Sequence, residues 1–212
     1  MSSIIADLIE WYPDLRSCTG EIEAAFDLLK TSFESGGKLL ICGNGGSASD
    51  SEHIAGELMK GFRSRRPISG NVADQLRAAF PEHGVYLAER LQGALPAIAL
   101  VGQTALTTAI TNDIAGDMIF AQQVYGYGQP NDVVLAISTS GNAANILHAL
   151  RVAQVLGLRT VGLTGQSGGA MKHLCNVTIC VPYTDTAQIQ ERHLPIYHAL
   201  CAMLEERFFP NE

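Results

Sequence analysis

His53 and Glu57 lie four residues apart, a spacing that puts both side chains on one face of a helix about one turn from each other. Such a pair suits two ligands of a divalent metal such as zinc, or an acid and a base acting on one substrate. The same spacing also arises on exposed helices that carry no chemistry. Gln190 and His198 are eight apart, about two helical turns, and would share a face in the same way. His193 falls off that face and reads as a surface or packing histidine. Pro195 sits between them; inside a helix it removes one hydrogen bond and either bends the axis or breaks it. His83, His148 and His173 have no comparable partners and are assigned no role.

Two loops could hold what these side chains act on. Cys42-Gly43-Asn44-Gly45-Gly46-Ser47 follows an apolar run and precedes a helical stretch. Its glycines let the backbone approach a ligand, and the helix N-terminus that follows favours an anion. Position 48 is Ala and no Walker lysine follows, so neither common nucleotide-binding pattern applies. A plain tight turn would look the same. Ser138-Thr139-Ser140-Gly141-Asn142 is the second loop, again between an apolar run and a helical stretch. Three consecutive hydroxyls at a helix N-terminus can cradle a phosphate without any lysine or arginine, whereas simple N-capping needs only one. Thr164 to Gly169 closes another apolar run and reads mainly as turn chemistry.

The elements that must position these residues follow from hydrophobic periodicity. Five nearly continuous apolar runs, 38–42, 97–101, 132–137, 160–164 and 177–181, read as parallel strands covered on both faces. Helical stretches separate them, clearest at 49–62 and 142–156, so the β-α-β-α order predicts a parallel sheet with right-handed crossovers and helices on both sides. Ligands of such sheets bind beyond the carboxyl ends of the strands, where both loops fall. Ile4, Ile5, Leu8 and Ile9, then Ile22, Ala25, Phe26, Leu29 and Phe33, mark two N-terminal helices, ended at Ser35-Gly36-Gly37. A final helix is expected over about 186–208. Residues 64–95, with Pro67 and Pro81, interrupt the alternation as a two-helix insertion.

Composition narrows the function. The 212 residues include 47% hydrophobic and 17% charged types, which excludes a disordered chain and suits a single domain. No apolar run approaches the roughly 20 residues of a spanning helix, and the first twelve residues lack the basic and apolar blocks of a signal peptide. A cytoplasmic location is expected. A net charge of −7 argues against nucleic acid as a partner. Lys60, Arg63, Arg65 and Arg66 form a local basic cluster, read as a solvated helix end, with an anionic substrate or a neighbouring subunit as alternatives. Five cysteines without C-x-x-C spacing fit reduced, buried thiols, and a catalytic cysteine is not suggested.

Taken together and in order, CGNGGSASDSEHIAGEL, TNDIAGDMIFAQQV, LAISTSGNAANI, TVGLTGQSGG and AQIQERH resemble the sugar isomerase (SIS) domain family, and within it the phosphoheptose isomerases. The likeness covers nearly the whole chain apart from 64–95. It implies a flavodoxin-like three-layer α/β/α fold with a five-stranded parallel sheet, and a homotetramer with active sites between subunits. It implies substrate contacts at Asn44, Gly45, Gly46, Glu57, Asn112, Asp113, Ser138, Thr139, Ser140 and Gln190. It also implies zinc held by His53, Glu57, Gln190 and His198, and an acid/base pair of Glu57 and His198. The reaction implied is sedoheptulose 7-phosphate to D-glycero-D-manno-heptose 7-phosphate through an enediol. A carboxylate committed to zinc is a poor base, so metal and catalysis compete for Glu57.

The sequence departs from the family at Ala143, where a further phosphate-contacting serine is usual, and at Ala187 and Gln188 before the QERH run. FAQQVYGYG and RFFPNE are similar instead to the non-catalytic SIS protein that associates with the bacterial replication initiator. That relative lacks counterparts of Glu57 and His198, which favours catalysis here. An isomerase of another sugar phosphate is the remaining alternative.

Overall fold

The computed structural model describes residues 2–210. Five strands, β1 (Leu39–Gly43), β2 (Ala97–Ala99), β3 (Val133–Ser138), β4 (Arg159–Thr164) and β5 (Val177–Cys180), form one sheet in the order β2-β1-β3-β4-β5. Every pairing is parallel, with Leu40 beside Ile98 on one side and Val134 on the other. This is the flavodoxin-like order, in which the chain reverses direction of travel between β1 and β3 and leaves a crevice at their carboxyl ends.

The strands are apolar throughout because both faces are covered. Leu39, Ile41, Val133, Leu135 and Ile137 face one layer, built with α1 (Ser3–Trp11), α2 (Thr19–Glu34), α3 (Gly46–Met59) and α9 (Thr186–Phe208). Leu40, Cys42, Val134 and Ala136 face the other, against α7 (Ile119–Tyr127) and α8 (Ala144–Val155). The period-two alternation of a strand divides its residues between two cores.

Residues 64–95 hold α4 (Gly70–Ala79) and α5 (Gly84–Arg90), between α3 and β2. The excursion ends where it begins: Pro67 bridges Gln92, and the Gly93 N–H donates to the Arg66 carbonyl at 2.7 Å. α6 (Thr104–Asp113) follows β2. No helix among the described residues is long and apolar enough to cross a membrane.

One sequence expectation is corrected, and two that stood open are decided. The basic cluster is not uniformly solvated: Arg66 is 0% exposed and paired with Glu205 at 2.7 Å. Its guanidinium also donates to the Leu58 and Glu57 carbonyls at 2.7 and 2.8 Å, satisfying the C-terminal end of α3. Of the two readings of His193, surface or packing, packing holds, since the residue is fully buried. Pro195 does not break α9, which runs unbroken over 23 residues. The last two residues of RFFPNE lie outside the described residues.

Candidate active site

The two loops face each other across the β1/β3 crevice. Asn44, after β1, and Asn145, in the first turn of α8, exchange both amide hydrogen bonds at 2.9 Å. Asn145 Oδ1 also accepts from the Ile146 N–H at 2.9 Å. This reciprocal clasp fixes the separation of the loops. Asn145 was not singled out from the sequence; its place one turn into a helix opposite a glycine-rich loop was the only available signal.

The hydroxyls of the second loop are not spent on capping α8, whose N-cap residue is Ala143, with no side-chain cap. Ser138 Oγ accepts from the Gly141 N–H and Ser140 Oγ from the Asn142 N–H, both at 3.2 Å, so each hydroxyl proton remains free to be donated. α3 likewise starts at Gly45 with no side-chain cap. Two uncapped helix N-termini and a row of hydroxyls therefore surround one crevice, as an anion site requires.

The segment after β4 is more than a turn. Asn142 Oδ1 accepts from the Ala170 N–H at 2.9 Å, the Gly141 carbonyl from Met171, and the Thr139 carbonyl from Gly165. Gly141 has φ +65°, and a Cβ there would stand 2.3 Å from the Gly168 carbonyl oxygen. Gly141→Ala is therefore expected to lower stability by about 1–3 kcal/mol through the left-handed backbone, with more from the clash. Urea denaturation measures this; a midpoint equal to that of the parent would contradict the packing described.

α3 and α9 bring the remaining candidates together. His53 Nε2 stands 3.2 Å from Glu57 Oε1 and 3.5 Å from His198 Nε2. Glu57 is 14% exposed; its Oε2 has no hydrogen-bond partner, and Lys60 Nζ approaches it only to 3.8 Å. Gln190 packs over the glycine loop, its amide nitrogen 2.6 Å from where a Gly46 Cβ would be. Burial lowers the pKa of His198 below its ordinary value; the neighbouring His53 adds to this and Glu57 opposes it. His198 also lines a groove of about 310 Å³ with Trp11, Phe62, Leu194 and Pro195.

α9 is held in register at three points. Arg192 bonds Asp14, which also accepts from the Tyr183 hydroxyl at 2.8 Å. Tyr197 meets Asp50 and His53, and Glu205 meets Arg66. Asn112 and Asp113, by contrast, end α6 in exposed positions, with the Asn112 amide donating to Asp113 at 2.8 Å. Among the described residues no hydrogen bond ties them to the other candidates.

His193, between Gln190 and His198, has neither ring nitrogen hydrogen-bonded. Burial pushes its pKa down to about 4; the Thr164 backbone approaches without full hydrogen-bond geometry and offsets only part of this. Above pH 6.5 the imidazole is neutral in folded and unfolded chains alike. Below it the unfolded chain takes up a proton that the folded chain refuses until about pH 4. Stability should therefore fall across that window, by about 3 kcal/mol in full. Urea midpoints measured from pH 7 to 4 should show the decline, and His193→Leu should flatten it; an equal slope in the variant would contradict the assignment. The five thiols are not poised as nucleophiles, since burial raises the pKa of each.

Among the described residues, no group of three or more His, Cys, Asp or Glu side chains is closed up to hold a metal ion as it stands. The donors nevertheless suit zinc. The two donor–donor separations, 3.2 and 3.5 Å, match the edge of roughly 3.3 Å expected for a tetrahedron with bonds near 2.0–2.1 Å. The orphaned Glu57 Oε2 leaves the carboxylate short of a positive partner.

Residues 15–93 and 75–165 match the SIS domain family. A phosphoheptose isomerase of Rhodospirillum rubrum is 40% identical over 192 residues, covering 91% of this chain and 88% of its own. The chain belongs to the phosphoheptose isomerase family of SIS-domain proteins. A second member, from Synechocystis, is 38% identical over 197 residues, covering 93% of this chain and 88% of its own. The structure of a phosphoheptose isomerase from Francisella tularensis superposes with a TM-score of 0.75 at 31% identity, over 97% of this chain and all of that one. The one from Neisseria gonorrhoeae gives 0.74 at 30% identity, over 95% of each. The five-stranded parallel sheet is thus the family's fold.

Proposed function

We propose that this protein interconverts sedoheptulose 7-phosphate and D-glycero-D-manno-heptose 7-phosphate, with Glu57 and His198 moving the protons. The observation that carries this reading is the meeting of His53, Glu57 and His198, from two helices far apart in sequence, beside a hydroxyl-lined crevice at the sheet's switch point. Membership of the phosphoheptose isomerase family supplies the substrate.

The phosphate would lie among Ser138, Thr139, Ser140 and the N-terminal N–H groups of α8, with Asn44, Gly45, Gly46 and Gln190 along the sugar. An aldose–ketose isomerisation moves a proton between C1 and C2 through an enediol, so it needs a base at the carbons and an acid at the oxygens. Glu57, short of hydrogen-bond donors, is the base. His198, whose lowered pKa keeps it neutral near pH 7, donates from its ring N–H toward the oxygens. His53, Glu57, Gln190 and His198 would hold a zinc ion, which would polarise the substrate oxygens when bound.

The exposed Trp11 and Leu194 beside His198, and the exposure of Asn112 and Asp113 with no hydrogen bond to the other candidates among the described residues, support a homotetramer whose neighbouring subunits complete the site. A cytoplasmic location accords with a phosphorylated substrate. Incubating the purified protein with sedoheptulose 7-phosphate and following the aldose by NMR tests the proposal. Turnover is expected; none, with or without added zinc, would favour a non-catalytic sugar phosphate-binding protein.

A further inference from the structure

Tyr197 is 1% exposed, so its hydroxyl has no water to fall back on and must find partners within the protein. It has two: Asp50 Oδ1 at 3.3 Å and His53 Nδ1 at 3.0 Å. A phenol carries one proton, and a carboxylate can only accept. The hydroxyl proton therefore goes to Asp50, and only a lone pair remains toward His53. His53 Nδ1 must then be the donor, and its own lone pair sits on Nε2. That nitrogen is the one facing Glu57 Oε1 at 3.2 Å and His198 Nε2 at 3.5 Å.

We infer that Asp50 and Tyr197 are positioning residues that lock His53 in the Nδ1–H tautomer and so present its Nε2 lone pair to the active site. The inference rests on the proposed roles of Glu57 and His198, and it explains why their geometry is left open. In this tautomer His53 gives no proton to Glu57, which accounts for a carboxylate with few donors. It also lets the His198 ring N–H point at His53 Nε2, or turn to a substrate oxygen. A cation placed between His53 and Glu57 would meet two electron pairs and no proton. Tyr197 sits directly before His198 on α9, so one helix turn both sets the tautomer of one imidazole and carries the other.

The test is nitrogen-15 NMR of the histidine side chains in chelator-treated protein at pH 8, with Tyr197→Phe and Asp50→Asn beside the parent. The parent should show His53 protonated on Nδ1. Tyr197→Phe keeps the ring and deletes the hydroxyl, so the population should move toward Nε2–H, the form free histidine prefers. Asp50→Asn lets the new amide donate to the phenol, whose proton then turns to His53 Nδ1, so Nε2–H should dominate. Both variants should lose kcat roughly 10- to 100-fold with KM little changed. A parent in the Nε2–H form, or variants whose tautomer matches the parent, would overturn the inference. Because the tautomer is read without substrate or metal, that outcome is separate from any failure of the isomerase reading, which turnover reports.

Discussion

Arg66→Met is expected to destabilise the protein by about 3–5 kcal/mol, because it leaves a carboxylate buried without its cation. The side chains of Arg66 and Glu205 are 0% and 3% exposed. Burial by itself would raise the pKa of Glu205, but the Phe62 and Arg63 N–H groups and the Arg66 guanidinium outweigh it and hold it below the ordinary value. The same guanidinium closes the last carbonyls of α3, one turn of which carries His53 and Glu57. Losing it therefore frays the helix that positions the site as well as breaking the tie between α3 and α9. Denaturation at pH 7 measures the loss, and Arg66→Met with Glu205→Leu should recover part of it. Recovery stays incomplete because Glu205 also accepts from the backbone of Phe62, Arg63 and Ser64. A loss below about 1 kcal/mol in the single variant would mean the pair does not anchor the site.

Glu57→Gln should lower kcat by about 10²- to 10⁴-fold while leaving KM within a few-fold of the parent, since the amide keeps the shape and removes the base. The side chain is largely enclosed, and its Oε1 stands 3.2 Å from His53 Nε2. Steady-state kinetics with sedoheptulose 7-phosphate separate the two constants. A variant with kcat within threefold of the parent would remove Glu57 from the chemistry.

What could be read beforehand was what local pattern encodes. The strand runs and the last helix, with bounds at Thr186 and Phe208, follow from apolar periodicity, and the glycine and hydroxyl loops from residue type. The meeting of His53 with His198 was implied by family likeness, because a contact across 145 residues leaves no periodic trace. Arg66 was misread because charge alone suggests water, and its carboxylate partner lies 139 residues away on the far helix. His193 stood open between surface and packing because its position off the Gln190/His198 face does not say what lies there, and α9 is packed on several sides. Asn145 and Tyr197 escaped notice because an amide in LAISTSGNAANI and a phenol in an apolar helix acquire meaning only from partners that folding supplies.

The central claim is that the reaction proceeds by proton transfer through a side chain in contact with solvent protons. Running the isomerisation in deuterated water and examining C1 and C2 of the recovered sugars by NMR tests it most directly. The account predicts solvent deuterium at the carbon that is reprotonated, with turnover and exchange slowed together in Glu57→Gln. Full conversion by the parent protein with no deuterium at either carbon would mean that hydrogen migrates directly between them, and the assigned base would be wrong.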